Sequence, residues 1–293
     1  MKWLLTKVGL LWARLISLLP MNILFGLADF LYFLLSRVYA YRKQIIDINL
    51  MHAFMHKRSE ELWYIRENYY RQLADFFVEV IKSITISKKE LQKRMQLHHN
   101  SYQLLREYEK LNQPIFVVLG HYNNWEWASL LAGTESHLPA IAVYQKPSNA
   151  AFDSFIKKNR SRFGCSLIAT HQLKSLYAAL LKQASLVAFV ADQTPVDTES
   201  AYWTTFLGME TPFYNGFDKL AIRTNAIVLY TSIRKINRGY YEIAFETITA
   251  AAKAEQENQI TEKFVRLLEK DIENRPEYWL WSHRRWKRAG IKY

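Results

Sequence analysis

Positions 114–131 read PIFVVLGHYNNWEWASLL, an apolar run followed by a glycine and then by the start of a helical pattern. The run PIFVVLG (114–120) is short, rich in β-branched residues and apolar throughout, which is typical of a strand buried on both faces of a parallel sheet. The residues over 124–132 have the spacing of a helix. One buried strand followed by one helix predicts a unit of an α/β fold.

The same alternation continues along the chain. Three more apolar runs predict buried strands: AIAVY (140–144), SLVAFVA (185–191) and AIVLYTS (226–232). The segments between and after them predict helices at 148–163, 170–183, 215–224 and 254–273, and YYEIAFETI (240–248) alternates like an antiparallel strand. Residues 42–110 are predicted to be helical, with Ser59 as the N-cap of one long helix. The sequence therefore predicts an α/β fold with a mostly parallel central sheet flanked by helices.

The N-terminal segment is strongly apolar. Residues 3–35 carry only Lys7, Arg14 and Asp29 as charged side chains. The run over 15–35 is long enough to span a bilayer, for which about 20 residues are needed. A central aspartate costs roughly 2.5–3.5 kcal/mol on insertion scales, so an interfacial or kinked helical anchor is the second interpretation. A pair of buried core helices is the alternative without a membrane.

Basic residues follow this segment, among them Arg37, Arg42 and Lys43, and a modest excess of positive charge there favours a cytoplasmic body. Nothing in the remaining sequence has the composition of a linker. We therefore expect two parts, an N-terminal hydrophobic helical membrane anchor (1–40) and one catalytic domain (41–293).

Composition narrows the classes of partner. The 293 residues include 39 Lys+Arg and 27 Asp+Glu, which gives a formal charge of +12, together with 9 Trp, 18 Tyr and 16 Phe. Basic and aromatic side chains together suit either a nucleic acid or an anionic membrane surface. The single cysteine, Cys165, excludes an internal disulfide framework.

Several familiar site types are missing from the sequence. The nine glycines form no GxGxxG, no P-loop and no GxSxG motif, so no cofactor is predicted by those routes. His52 and His56 are spaced to lie on one helix face, but no third ligand accompanies them, and no metal site is predicted.

His121 and Glu126 are the candidate catalytic residues. His121 directly follows a buried strand, at the edge of the sheet where α/β folds place their chemistry. Asn123 or Asn124 can cap the next helix, which places Glu126 in its first turn, within reach of His121. A histidine held by a carboxylate can take the proton from an attacking alcohol, as acyl transfer to a hydroxyl requires. Asn123 and Glu126 also fit a variant of the capping box, which is a purely structural feature.

At this point the sequence resembles the bacterial lipid A acyltransferase family, within the wider lysophospholipid acyltransferase group. His121 and Glu126 match the two positions of the family's HxxxxD/E motif. Other segments resemble further family blocks in the same order, and they cover nearly the whole chain: RKQIIDINLMHAF (42–54), AVYQKP (142–147), KKNRSRFG (157–164), VADQTP (190–195), YWTTFLGMETPF (202–213) and RPEYWLWSHRRWKR (275–288).

The resemblance implies an enzyme at the cytoplasmic face of the inner membrane. Such an enzyme transfers a fatty acyl chain from acyl carrier protein or coenzyme A to a hydroxyl of a lipid A precursor, giving a secondary acyl chain. By position, His121 is the general base and Glu126 its partner, without a covalent acyl-enzyme. Asp192, Arg160, Arg162 and Lys146 match blocks that contribute to substrate binding.

Two departures from the family pattern concern substrate preference. Gln145 stands where an arginine is common, and Gln193 follows Asp192 where other members carry a charged residue or histidine. Acceptors such as a glycerophospholipid or an amino-acid lipid therefore remain alternatives.

The C-terminal basic residues have two interpretations. Arg284, Arg285, Lys287 and Arg288 are interleaved with Trp281 and Trp286, which suits a patch at a membrane interface. The same cluster suits RNA, so a membrane-tethered nucleic-acid-binding protein is the alternative from another class. Affinity for RNA with a steep dependence on salt would distinguish it; under the acyltransferase interpretation no nucleic acid partner is expected.

Overall fold

The structure is a computed structural model and describes residues 2–293. The helices of this part of the chain are α1 (Lys2–Ser17), α2 (Met21–Phe33), α3 (Lys43–Ala53), α4 (Ser59–Lys82), α5 (Lys88–Arg94), α6 (His99–Glu109), α7 (Trp125–Glu135), α8 (Ala150–Arg160), α9 (Leu173–Leu180), α10 (Gly216–Thr224) and α11 (Gln259–Asn274). The strands are β1 (Met95–Leu97), β2 (Ile115–Leu119), β3 (Ala140–Tyr144), β4 (Ser166–Ala169), β5 (Leu186–Val190), β6 (Tyr202–Phe206), β7 (Met209–Phe213), β8 (Ile227–Asn237) and β9 (Tyr240–Thr249).

A seven-stranded sheet in the order β1-β9-β8-β2-β5-β3-β4 forms the centre of the molecule. Only β8 and β9 pair antiparallel within it, so the predicted mostly parallel α/β architecture is confirmed. The predicted antiparallel strand is β9, which forms a hairpin with β8. β2 lies between β8 and β5, and Leu119 at its end is in register with Val190 at the end of β5. The loops after β2 and β5 therefore leave the sheet side by side.

Helices cover both faces of this sheet. On one face, Val117, Ala142 and Ala188 pack with Leu105 of α6. The opposite face has Phe116 and Val187 among its apolar residues, and α9, α10 and α11 cover it. Strands buried on both sides read as continuous apolar runs, which is why they were recognisable in the sequence.

Several local expectations were wrong. Residues 202–213 form a separate antiparallel hairpin, β6–β7, although no strands were predicted there. The short strand β1 interrupts the region predicted to be wholly helical; its three residues are too few to show a period. Ser59 is the first residue of α4 and Arg58 precedes it as the N-cap, while the Glu61 carboxylate accepts a hydrogen bond from the Arg58 N–H.

The N-terminal apolar run is divided into two helices. α1 ends at Ser17 and α2 begins after Pro20, whose missing N–H is tolerated at a helix start. A π-helical turn, Leu34–Val38, continues α2. Among residues 2–293 the stretch long and apolar enough to cross a membrane is therefore Met21–Val38, rather than the predicted run over 15–35.

Candidate active site

His121 and Asp192 meet at the carboxyl edge of the sheet. Because Leu119 and Val190 are paired in register, the residues that follow them lie next to each other, and the Ala191 N–H donates to the Leu119 carbonyl. Gly120 permits this close approach. A Cβ at Gly120 would lie 3.2 Å from Asp192 Oδ2 and 2.7 Å from Leu268 Cδ1, too close for any other residue without rearrangement.

The Asp192 carboxylate receives three hydrogen bonds. The His121 side chain donates through Nδ1 to Oδ1 at 2.5 Å, and the His121 backbone N–H donates to Oδ2 at 2.9 Å. Trp279 Nε1 donates to Oδ2 at 2.7 Å. Burial by itself raises the pKa of Asp192, but attraction to His121 and these hydrogen bonds lower it to about 2. The carboxylate is therefore charged at neutral pH and accepts all three bonds.

This arrangement selects one tautomer of His121. An ionised carboxylate only accepts hydrogen bonds, so the proton of neutral imidazole resides on Nδ1. The lone pair is then on Nε2, where the Gln193 side-chain amide lies 3.2 Å away and donates to it. A base in this state is ready to accept a proton at Nε2.

Glu126 has a different partner. Both of its carboxylate oxygens bind the guanidinium of Arg160, one at 2.9 Å from Nε and the other at 2.5 Å from Nη2. Burial lowers the pKa of Arg160, but Glu126 outweighs it and raises that pKa, so the pair is ionic. The expected contact between Glu126 and His121 was wrong, because a side chain in the first turn of α7 is carried towards α8. Glu126 does lie in that first turn, as predicted.

The two asparagines after His121 anchor its loop. Asn124 caps α7, since its Oδ1 accepts from the Trp127 N–H at 2.9 Å. Its Nδ2 donates to the buried Glu79 of α4 at 2.8 Å. Asn123 has a positive φ of 52° and donates through Nδ2 to the Ile233 carbonyl. The loop is therefore held by α4 and β8 as well as by the start of α7.

The C-terminal signature also holds the active-site loops. Tyr122 forms an isolated antiparallel bridge with Trp279, and the Asn123 N–H donates to the Tyr278 carbonyl at 2.9 Å. Trp279 then reaches Asp192 from the same segment. The resemblance marked this segment as a signature, but no local pattern showed that Trp279 would contact the carboxylate.

The interpretation of this segment as a membrane-interface patch was wrong for its central residues. Trp281, Arg285 and Trp286 are fully buried. The Arg285 guanidinium lies 4.4 Å from the ring centroid of Phe213 and donates to the Pro212 carbonyl. Burial lowers the pKa of Arg285 to about 9. These side chains pack against other aromatic rings in the core. An alternation of basic and aromatic residues in the sequence does not show whether they are buried or exposed.

His283 is a further functional candidate that the sequence analysis did not single out. Its Nε2 lies 3.4 Å from the Thr194 N–H and 3.3 Å from the Thr194 hydroxyl, two residues beyond Asp192. Burial lowers the pKa of His283 to about 4, so the ring is neutral at neutral pH. It joins the C-terminal segment to the loop after β5.

The predicted substrate-binding residues Arg160, Arg162 and Lys146 lie in three different environments. Arg160 lines the same cavity as His121. Arg162 instead donates to the Ser83 and Ile86 carbonyls at the end of α4, which is a structural contact. Lys146 is exposed in the loop after β3.

A cavity of about 840 Å³ extends from His121 into the molecule. Its polar end includes Gln193, His283 and Lys287, and its apolar part lies between one face of the sheet and α6 and α7. The apolar lining is contributed mainly by aliphatic side chains, including Leu97, Leu105, Val117, Leu119, Ala128, Leu131, Ala142, Ala188 and Ile243. A hydrocarbon chain fits such a lining, since its burial is favourable by about 0.8 kcal/mol per CH₂.

Comparison with known proteins places the site in context. The chain is similar to the lipid A biosynthesis palmitoleoyltransferase of Escherichia coli (strain K12) and to the lipid A biosynthesis acyltransferase of Shigella flexneri, with 26% identity in each case. Each alignment spans 188 residues, which is 64% of this chain and 60% of the relative. A family model for bacterial lipid A biosynthesis acyltransferases matches residues 1–288. Because this model covers nearly the whole chain, the chain belongs to the bacterial lipid A biosynthesis acyltransferase family.

Proposed function

We propose that the protein is a membrane-associated O-acyltransferase that transfers a fatty acyl chain from a thioester donor to a hydroxyl of a lipid A precursor. The donor is acyl carrier protein or coenzyme A, and the product carries a secondary acyl chain. The observation that carries the proposal is the His121–Asp192 pair, with Nε2 of His121, which the Gln193 amide contacts, at the polar end of a largely apolar cavity. The family and the names of both relatives support the same reaction class.

In this mechanism His121 is the general base. Nε2 takes the proton of the acceptor hydroxyl while the oxygen attacks the thioester carbonyl. The C–S bond then breaks, and the departing sulfur takes the proton from the imidazolium. The acyl chain passes directly from sulfur to oxygen, so the enzyme needs no covalent intermediate.

Asp192 orients the base and stabilises its charged form. It keeps the Nδ1 proton in place and supplies a negative charge next to the imidazolium that forms during transfer. Its own position depends on Trp279 and on the His121 backbone N–H. This role falls to Asp192 rather than to Glu126, because the oxygens of Glu126 are occupied by Arg160.

The Glu126–Arg160 pair has a supporting role in substrate binding. Arg160 lines the cavity, and Glu126 fixes the plane of its guanidinium through two bonds. A guanidinium held in this way presents its remaining N–H groups to carbonyl, phosphate or hydroxyl oxygens of a substrate. The acyl chain occupies the apolar part of the cavity.

Lipid analysis tests the proposal. Mass spectrometry of lipids from a strain without the protein is expected to show lipid A that lacks one acyl group, restored by the wild-type gene and not by His121→Ala. Loss of an acyl group from a glycerophospholipid or an amino-acid lipid, with lipid A unchanged, would contradict the assignment of the acceptor. Full activity of His121→Ala with purified donor and acceptor would contradict the mechanism.

A further inference from the structure

Two N-terminal helices present apolar side chains that the fold leaves uncovered. On α2, Met21, Leu24 and Ala28 are buried against the body. The opposite side of α2 exposes Ile23, Leu27, Phe30 and Phe33. α1 carries a similar exposed stripe of Val8, Leu11, Trp12 and Leu15, and the exposed Leu18 directly follows the helix. A soluble protein rarely exposes large apolar side chains in such a continuous arrangement.

The inner side of α2 is attached to the body along its length. The Asp29 carboxylate binds Arg238 at 2.6 Å, and Arg238 binds Asp75 of α4 at 2.7 Å. Further along, the Tyr32 hydroxyl and the Arg37 guanidinium both donate to Glu67 of α4 at 2.8 Å.

The break between α1 and α2 is also bound to α4. Lys82 Nζ donates to the Ser17 and Leu19 carbonyls at 3.3 and 2.9 Å, and the Thr85 hydroxyl donates to Ser17 as well. These contacts use the carbonyls that the end of α1 leaves unpaired. They hold both helices on one side of the molecule.

From these contacts we infer that α1 and α2 lie along one leaflet of an anionic lipid membrane, with their exposed stripes among the acyl chains, and that neither helix crosses the bilayer. If α2 crossed, the charged groups of Asp29, Arg238, Asp75 and Glu67 would be carried to membrane depth, where charges are strongly unfavourable. α1 has 16 residues, about 24 Å of helix, which is shorter than the ~30 Å hydrocarbon layer.

Charge supports a lipid surface as the partner. Arg14, Arg42 and Lys43 are exposed on or just after these helices, and the exposed Arg37 already binds Glu67. Asp29, the acidic residue of α1 and α2, is paired with Arg238. Basic residues near the surface of an anionic leaflet favour binding to it. An apolar stripe with basic neighbours is typical of interfacial helices.

This placement deepens the proposed function, on whose membrane association it rests. α4 holds the two helices and also the His121 loop, through the Glu79–Asn124 and Gln72–Asn123 contacts. The active site is therefore held at a fixed height relative to the leaflet.

Topology mapping tests the inference with the unaltered helices. Protease-cleavable tags are placed at the two ends of the full chain, and protease is added to intact spheroplasts and to lysed ones. We expect both tags to be cut only after lysis. Cutting of either tag in intact spheroplasts would overturn the inference, because one end would then lie outside.

A two-span hairpin is tested separately. Asn22 is exposed at the start of α2, and Asn22→Cys is made in a Cys165→Ala background. Labelling of this cysteine by a membrane-impermeant maleimide in intact spheroplasts would overturn the inference, and labelling only after lysis supports it.

Vesicle binding tests the surface itself. The double variant Leu27→Glu/Phe30→Glu is expected to bind phosphatidylethanolamine/phosphatidylglycerol vesicles at least about tenfold more weakly than wild type, since two apolar side chains lose their burial in lipid. Leu181→Glu, just after α9, changes an exposed leucine elsewhere and is expected to bind normally. Unchanged binding of the double variant would contradict the inference that the exposed stripe of α2 contacts lipid. Acyl transfer to detergent-solubilised acceptor, measured in parallel, separates a failure of this inference from a failure of the proposed reaction.

Discussion

The first turn of α7 and the loop after β5 each contribute a carboxylate close to His121 in the fold, yet the two carboxylates differ in almost every respect. Asp192 lies 71 positions from His121 in the chain and contacts it twice. Glu126 lies five positions away and binds Arg160 instead. Sequence proximity places Glu126 on the next helix, where its direction is set by α7, whereas strand register places Asp192 beside the histidine. Pairing of parallel strands therefore determines the partner of the base more strongly than spacing within a motif.

The largest expected effect is that of His121→Ala. Removing the base is expected to lower kcat by about 10³–10⁴-fold, because the acceptor hydroxyl then loses its proton acceptor. Steady-state assays with purified donor and acceptor measure it. His137→Ala, at an exposed histidine, serves as the matched control and is expected to retain wild-type activity.

Asp192→Asn directly tests which carboxylate supports the base. The amide can donate to Nδ1 and so favour the wrong tautomer of His121, and we expect kcat to fall by about 10²–10⁴-fold with a native melting temperature. A smaller loss than that of Glu126→Gln would reverse the comparison and restore Glu126 as the partner of His121.

Glu126→Gln is expected to lower kcat/KM by about 10–100-fold, since Arg160 loses one charged partner but remains near the cavity. Combined with Arg160→Gln, the losses should be clearly less than multiplicative, because both substitutions remove the same ion pair. Independent, multiplicative losses would show that Glu126 acts without Arg160.

Glu79→Gln tests the support under the His121 loop through stability rather than rate. Burial raises the pKa of Glu79 to about 7, so the folded state favours the protonated acid. The unfolded group ionises near pH 4.5, and the wild-type protein therefore loses up to about 3 kcal/mol as pH rises from 4.5 through 7.

Glu79→Gln has no ionisable side chain at this position and does not lose this stability. Its melting temperature relative to that of wild type should therefore increase between pH 5 and pH 8. A difference that does not change with pH would show that Glu79 is ionised in the folded protein at every pH tested.

Lys146→Ala is expected to have the smallest effect, less than about threefold on kcat/KM. Lys146 is exposed and apart from the cavity, and exposed single charges contribute little. A loss comparable with that of Glu126→Gln would place Lys146 in the substrate site, as the resemblance implied.

Much of the architecture was predictable from local sequence. The buried strands β2, β3, β5 and β8 are continuous apolar runs, and α7 begins with an asparagine cap, so hydrophobic period and capping sufficed. His121 was also recognisable, because a histidine directly after a buried strand lies at the edge where such folds carry their sites.

Only the tertiary structure decided which groups meet. Asp192 lies beside His121 because β5 is next to β2 in the sheet, and Trp279 lies there because the C-terminal segment folds back onto this edge. Neither arrangement can be inferred from the periodicity of the sequence. The alternation of basic and aromatic residues suggested a surface patch, but Trp281, Arg285 and Trp286 are buried. Local patterns report the periodicity of one segment, whereas contacts between distant segments depend on how the whole core packs.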